Sequence, residues 1–306
     1  STIFPLEIIH EHRNYLPALG PLLGISYLLV FALADKMPKA VRITLISTIV
    51  FCLGFGTFNR AQYWSSESAL IESLAVNHPN SPSSQYLRGE ILRKREKDFK
   101  GSYAYYLRAA ELSPQEAGFL ISLSMVTPKS FSYLENKVES LQLARPEYIS
   151  SIIQQQPMGA WGIRALDVAI KCLMAGNKRC LSKADDVSVW LQALIDKPAG
   201  KAAHRYYALV HLFAIRMKQQ RFREALASAE LALRLSPTNP RFGLMQAHAL
   251  IGLKRLDDAS RLLNELAGSS AGRVKKYAVR IQQLNHVILS IKQRNRKKLG
   301  LAITAK

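Results

Sequence analysis

Twenty consecutive residues without a charge, Tyr15 to Ala34, limit what this chain can become. The run reads YLPALGPLLGISYLLVFALA. At about 1.5 Å of rise per helical residue, about 20 residues cover a hydrocarbon core of roughly 30 Å. A polar link follows, Asp35-Lys36-Met37-Pro38-Lys39, and then a second apolar run from Ile43 to Phe58. Ala40, Val41 and the snorkelling stem of Arg42 lengthen that second run. So short a link predicts a tight helical hairpin with both outer ends on one side of a bilayer. The competing reading is a buried hairpin of a soluble protein, but soluble core helices rarely run this long uncharged.

The basic residues beside the runs give an orientation. Lys36, Lys39 and Arg42 cluster in and next to the link. Arg13 and Arg60 flank the outer ends, offset by Glu7, Glu11 and Glu67. The positive-inside bias puts the link in the cytoplasm and everything after Asn59 on the opposite face. Long translocated domains escape that rule, so the basic C-terminal part does not oppose it. The first residue is Ser1, and no basic segment precedes an apolar core as in a signal peptide. A fragment with further spans upstream is expected.

The 306 residues suffice for the hairpin plus one elongated or two compact domains. A formal net charge of +20 suits an anionic partner: lipid headgroups, lipopolysaccharide, an acidic protein or nucleic acid. The spans direct the domain away from the cytoplasm, so nucleic acid is the weakest of these. Of three cysteines, Cys52 lies in the second apolar run. Cys172 and Cys180, eight apart, would form a disulfide in an oxidising compartment or stay as two separate buried thiols. No CxxC and no Cys/His cluster with zinc spacing occurs, so neither a metal nor a cofactor is expected.

Beyond the runs the pattern is helical. Pro79, Ser81 and Pro82 punctuate it, with Pro82 placed for the first turn of a helix. Phe99, Ser102, Tyr106, Ala109 and Pro114 then fall at spacings that recur as Phe222, Ala225, Ala229, Ala232 and Pro237. Small residues at those places let two helices approach closely, and the proline stops the second one. This is the second half of a tetratricopeptide repeat. Repeats are expected at about 83–116, 206–239 and 240–273. Leu209, Leu212 and Phe213 face inward in the second, and Ala247, Leu250, Leu256, Ala259 and Leu263 in the third. Residues 117–203 break at Pro128, Pro146, Pro157, Gly176-Asn177 and Pro198–Gly200. They read as degenerate helical repeats that continue a solenoid, or as an inserted helical domain. From Arg273 on, one basic helix presents Val274, Ala278, Ile281, Leu284 and Ile288 at helical spacing, enough to cap the last repeat.

Candidate sites follow from this layout. His12 and Arg13, directly before the first run, could meet a lipid phosphate or headgroup; interfacial anchoring beside Tyr15 is the plainer role. The first helix of each repeat lines the concave side. Its groove places are Ser84, Leu87, Ile91 and Lys94 in the first repeat, and Tyr207, Val210, Ala214 and Met217 in the second. In the third they are Arg241, Leu244, His248 and Ile251. Lys94, Tyr207, Met217, Arg241 and His248 are the partner-groove candidates, suited to a protein or peptide with acidic character. Tyr103, Tyr105, Tyr106, Tyr206 and Tyr207 suit repeat packing better than a binding box of their own. The basic run Lys292–Lys298 suits a solvated or membrane-surface face. Asp185, before the apolar DVSVWLQALI, reads as a helix N-cap. No local motif for hydrolytic catalysis or phosphate cradling is present.

The order HEHRNYLPALG, two runs with a short basic link, NRAQYWSSESAL and then repeats resembles a family. It looks like the C-terminal third of bacterial polytopic membrane proteins with periplasmic tetratricopeptide repeats. These are related to the transmembrane-and-tetratricopeptide O-mannosyltransferases and the C-type membrane glycosyltransferases. Glu11, Arg13, Tyr15, Leu16 and Pro17 match the element before a span; Asn59, Arg60 and Trp64 match the element after the last one. The resemblance implies a lipid-linked sugar donor, with repeats holding the acceptor, in a bacterial inner membrane with the repeats periplasmic. The acidic catalytic pair of such enzymes belongs to a loop that this chain does not contain, so no catalytic residue carries over.

The expectation is an all-α chain, a transmembrane helical hairpin followed by a tetratricopeptide-like α-solenoid. Its segments are a pre-membrane stretch (1–14), two spans with their link (15–59), a first repeat region (60–116) and the irregular helical region (117–203). Two repeats (204–273) and a basic capping helix with tail (274–306) complete it. The expected function is a membrane-anchored interaction module. The alternative is the acceptor-binding end of a glycosyltransferase.

Overall fold

A computed structural model of the chain describes residues 37–127, 142–269 and 274–304, with isolated positions at 20, 21, 23–25, 27 and 28. Side chains at 60, 63 and 296–304 are outside that description. Among the described residues every regular element is helical. The chain divides into two compact units at Leu112–Ser113. Most of the expected first span, Lys36 of the link, and His12 and Arg13 lie outside the described residues.

In the first unit, α1 (Lys39–Trp64) contains the second apolar run. Its stretch Lys39–Asn59 is long and apolar enough to cross a membrane, and none of it is buried in the protein. Phe51, Phe55 and Phe58 are all exposed there. Thr44, Thr48 and Thr57 donate their hydroxyls to carbonyls one turn back, so these three groups are satisfied without water. Ser66 caps α2 (Glu67–Asn77) by accepting from the Ala69 amide at 3.1 Å.

Pro82 sits in the first turn of α3 (Pro82–Ile91). That helix widens into a π turn, Leu92–Glu96, and stops at Lys97, whose φ is 54°. It packs on α4 (Phe99–Leu112), where Ser102, Tyr106 and Ala109 are buried at the repeat spacing. Gly89 makes this approach possible, because a Cβ there would stand 2.8 Å from the Tyr106 ring. Sequence placed Ser84, Leu87 and Ile91 on an open groove; they are buried instead. The reason is α2, which packs against α3 and anchors it with Gln85 donating to the Ala75 carbonyl at 3.1 Å.

The second unit begins with α5 (Ala117–Val126), α6 (Pro146–Gln155), α7 (Ala160–Met174), the single turn α8 (Lys178–Leu181) and α9 (Ala184–Asp196). Then come α10 (Ala202–Lys218), α11 (Phe222–Leu235), α12 (Pro240–Gly252), α13 (Leu256–Gly268) and α14 (Lys275–Thr304). From α9 onward each helix packs on the next, as in stacked repeats. Ala225, Ala229, Ala232, Ala247 and Ala259 are fully buried in the seams. The stretch before that departs from sequential stacking: α5 packs on α7, and α6 on α9. Among the described residues of 117–203 these helices are thus paired across the chain order.

Several single cations hold the helix ends of this unit. Arg179 donates to the Val126 carbonyl at the end of α5 (2.8 Å). Lys197 donates to Ile153 and Gln156 at the end of α6 (2.8 and 2.5 Å). Lys218 does the same for Leu173 and Met174 at the end of α7 (3.0 and 2.7 Å), and Arg205 for Lys197 and Pro198 after α9 (2.5 and 2.9 Å). Each adds a donor to carbonyls at or just past a helix C-terminus, near the negative end of its dipole. Asp185 is not an N-cap: it lies inside the first turn of α9 and accepts from Gln219 and Arg221, both at 3.3 Å.

Cys172 and Cys180 are joined in a disulfide, with Cα atoms 5.8 Å apart. Gly176, at φ 78°, turns the chain between them, and Asn177 caps α8. Closing so short a loop is worth about 2–3 kcal/mol. The double substitution Cys172→Ala, Cys180→Ala should lower the urea-unfolding free energy by that amount. An unchanged midpoint would mean that α8 is held by packing alone.

Candidate functional site

Repeat stacking sets α10, α12 and α14 side by side. Asn239 opens α12, its side chain accepting from the Arg241 amide at 3.1 Å, and Pro240 occupies the first turn. Tyr206 meets Phe242 at 5.7 Å between ring centroids, and Phe213 meets His248 at 6.3 Å, so aromatic contacts fix α10 against α12. The α14 helix is docked through Ile281, Leu284 and Ile288, all buried. Lys292 donates to Asp257 of α13 at 2.7 Å. Val274, assigned to the same seam from sequence, is exposed instead, because α14 only begins at Lys275.

Docked in this way, α14 leaves a pocket of about 560 Å³ against α10 and α12. Phe213, Leu244, Met245 and Val279 supply its apolar lining, and Arg241, Lys276 and Arg280 its charge. Among the described residues no carboxylate lines it. His248 also faces it; burial and the adjacent Arg280 hold its pKa below the ordinary 6.5. His211 of α10 is lowered too, by burial against an opposing Asp167 and with the help of Arg241. Both imidazoles thus take a proton less readily than a free histidine, and the fixed positive charge belongs to Arg241, Lys276 and Arg280. Beyond Arg241, the Tyr207 ring stands against His211 at 4.4 Å. Its hydroxyl is buried without a hydrogen-bond partner, and burial pushes its pKa up.

The sequence-derived candidates separate on this frame. Arg241 is exposed and His248 half-buried, both lining the pocket. Tyr207 is half-buried beside His211. Met217 lies at the far end of α10 and does not line the pocket. Lys94 belongs to the first unit, in the π turn, where its ammonium is held by Glu90 at 2.5 Å. Sequence reading missed Met245, Lys276 and Arg280. The signal was present: Lys276 and Arg280 stand one turn apart beside the Ile281, Leu284 and Ile288 seam. Assigning α14 wholly to capping hid it. No group of His, Cys, Asp and Glu able to hold a metal occurs among the described residues.

A tetratricopeptide-repeat family model matches residues 216–277, which span the end of α10 to the start of α14. No curated protein matches the chain. Similar solved structures include the P58(IPK) TPR domain, at 12% identity and a TM-score of 0.31 over 85% of this chain and 69% of that one. They also include the assembly chaperone of RpL4 (Acl4, residues 1–338), at 11% identity and a TM-score of 0.31 over 84% of this chain and 98% of that one.

Proposed function

We propose that this chain is a membrane-anchored tetratricopeptide module that holds an acidic protein segment in the groove of α10, α12 and α14, on the periplasmic face of a bacterial inner membrane. The pocket carries the reading: apolar walls, three cations and no carboxylate among its lining residues. Elsewhere several of the described arginines are answered, as Arg93 by Glu90, Arg95 by Glu67 and Arg255 by Asp258. Others hold helix ends. Arg241, Lys276 and Arg280 have no carboxylate partner among the described residues, so a negative ligand would supply what the chain does not. The apolar, unburied stretch Lys39–Asn59 supports anchoring, and the Cys172–Cys180 bridge suits an oxidising compartment. The glycosyltransferase resemblance rests on residues 11–17, which lie outside the described residues, and on Asn59, Arg60 and Trp64. It places no catalytic group on this chain.

The test is charge reversal. Full-length protein in detergent should bind a fluorescent glutamate-rich peptide and not its lysine counterpart. Arg241→Glu with Arg280→Glu should weaken that binding at least about tenfold. Unchanged affinity would remove the groove from the function. For topology, a phosphatase fused after Lys306 should be active in intact bacterial cells; an inactive fusion would reverse the orientation.

A further inference from the structure

The pocket is larger than charge pairing requires. Carboxylates could be met by Arg241 and Arg280 alone, yet the groove they line holds about 560 Å³, with Phe213, Leu244 and Met245 at its apolar side. These three side chains are each at least nine-tenths buried, so the walls are fixed by the packing of α10 and α12. Val279, 46% exposed, forms the α14 rim. A space of this size falls in the range that takes a sizeable organic group. One aromatic side chain brings about 150–250 Å² of burial, the largest contribution a single residue can make.

We propose that this pocket is an anchor site for one bulky apolar side chain of an acidic peptide, inserted against Phe213, Leu244 and Met245. Carboxylates on either side of that side chain rest on Arg241 and Arg280. The proposal rests on the groove reading above and adds its specificity. Charge alone attracts many anions; a void walled by aliphatic, thioether and aromatic groups selects one residue within an acidic run. Phe213, Leu244 and Met245 are each at least nine-tenths buried, so they offer edges for an inserted side chain rather than an exposed ring face on which a base could stack, which favours a peptide over a nucleic acid. Arg280 is positioned for this by Gln283, which accepts from its guanidinium at 3.0 Å and leaves the rest of the group free to face outward.

The experiment uses full-length protein in detergent and three labelled peptides of equal charge. Each is an eight-residue glutamate peptide with tryptophan, leucine or alanine in the centre. Fluorescence anisotropy should rank them Trp > Leu > Ala, with at least about a tenfold gap between the first and last. Val279→Trp, at an exposed position that leaves the walls intact, should fill the pocket and bring all three peptides to the alanine value. Leu244→Ala enlarges the pocket and serves as a second variant, its folding checked by circular dichroism. Equal affinities for the three peptides, with Val279→Trp silent, would overturn the anchor while leaving the acidic groove standing. No binding of any of them would sink both. Displacement by an RNA oligomer with no dependence on the central residue would also overturn the anchor, in favour of a nucleic-acid surface.

Discussion

Gly118→Ala is expected to destabilise the second unit by about 3 kcal/mol. A Cβ at Gly118 would lie 2.4 Å from the Trp161 carbonyl carbon, 2.6 Å from its oxygen and 2.7 Å from the Gly162 nitrogen. These are backbone atoms, so no rotamer change can relieve the overlap and α5 would have to move off α7. Gly243→Ala is the control. Its Cβ would meet only the Leu266 methyl groups at 2.9 Å, at the free end of a flexible side chain. That substitution also gains up to about 1 kcal/mol of helix propensity inside α12. It should stay within about 1 kcal/mol of the parent in denaturant titrations followed by helical ellipticity. Equal stability of the two variants would show that α5 and α7 do not meet at Gly118.

The second large effect lies at Glu90, only 4% exposed. Burial on its own would raise its pKa. The Arg93 guanidinium, the Lys94 ammonium and the Tyr106 hydroxyl outweigh that and hold it below the ordinary 4.5. Tyr106 donates to it at 2.5 Å, and Arg93 donates at 2.9 Å. Glu90→Leu strips the partner from Arg93, itself largely buried, and should cost about 3 kcal/mol. Tyr106→Phe keeps the ion pair and should cost about 1.5 kcal/mol. The sign with pH follows from the lowered value. The stabilisation is complete above the unfolded pKa near 4.5 and is lost as pH falls through the folded pKa. Glu90→Leu should therefore flatten the acid limb of a thermal-stability profile. An acid limb identical to the parent's would assign the loss to packing rather than to charge.

The parts of the fold legible in the sequence are those where a neighbour in the chain is a neighbour in space. The alanine spacing of α11 and the proline starts of α3 and α12 are local facts, and they reappear as buried seams and first turns. The apolar run that became α1 is local as well. What could not be read were the partners of isolated residues. Arg179, Lys197, Arg205 and Lys218 look like four more units of positive charge; in the folded chain they serve helix ends up to about 50 residues away. The net charge of +20 therefore overstates what the surface offers a ligand. At the candidate site, the α12 half was legible from repeat register. The α14 half was not, because a helix that caps a core and also lines a pocket carries both signals along one stretch.

The crossed packing of α5 on α7 and α6 on α9 has a consequence for how the chain assembles. In a stack where each helix rests on the one before it, order can grow from any point and fray one repeat at a time. Here α5 emerges from the ribosome before its partner exists and must wait through α6; α6 in turn waits through α7. α5 gains its main neighbour when α7 is made, and α6 only when α9 is made. The four helices thus form a single cooperative step, with a loop-closure cost that stacked pairs avoid. Shortening the protein by one helix pair, harmless in a regular array, would here leave two widowed surfaces at once. The crossed block acts as a buttress, an all-or-none foundation on which the groove-bearing repeats are raised.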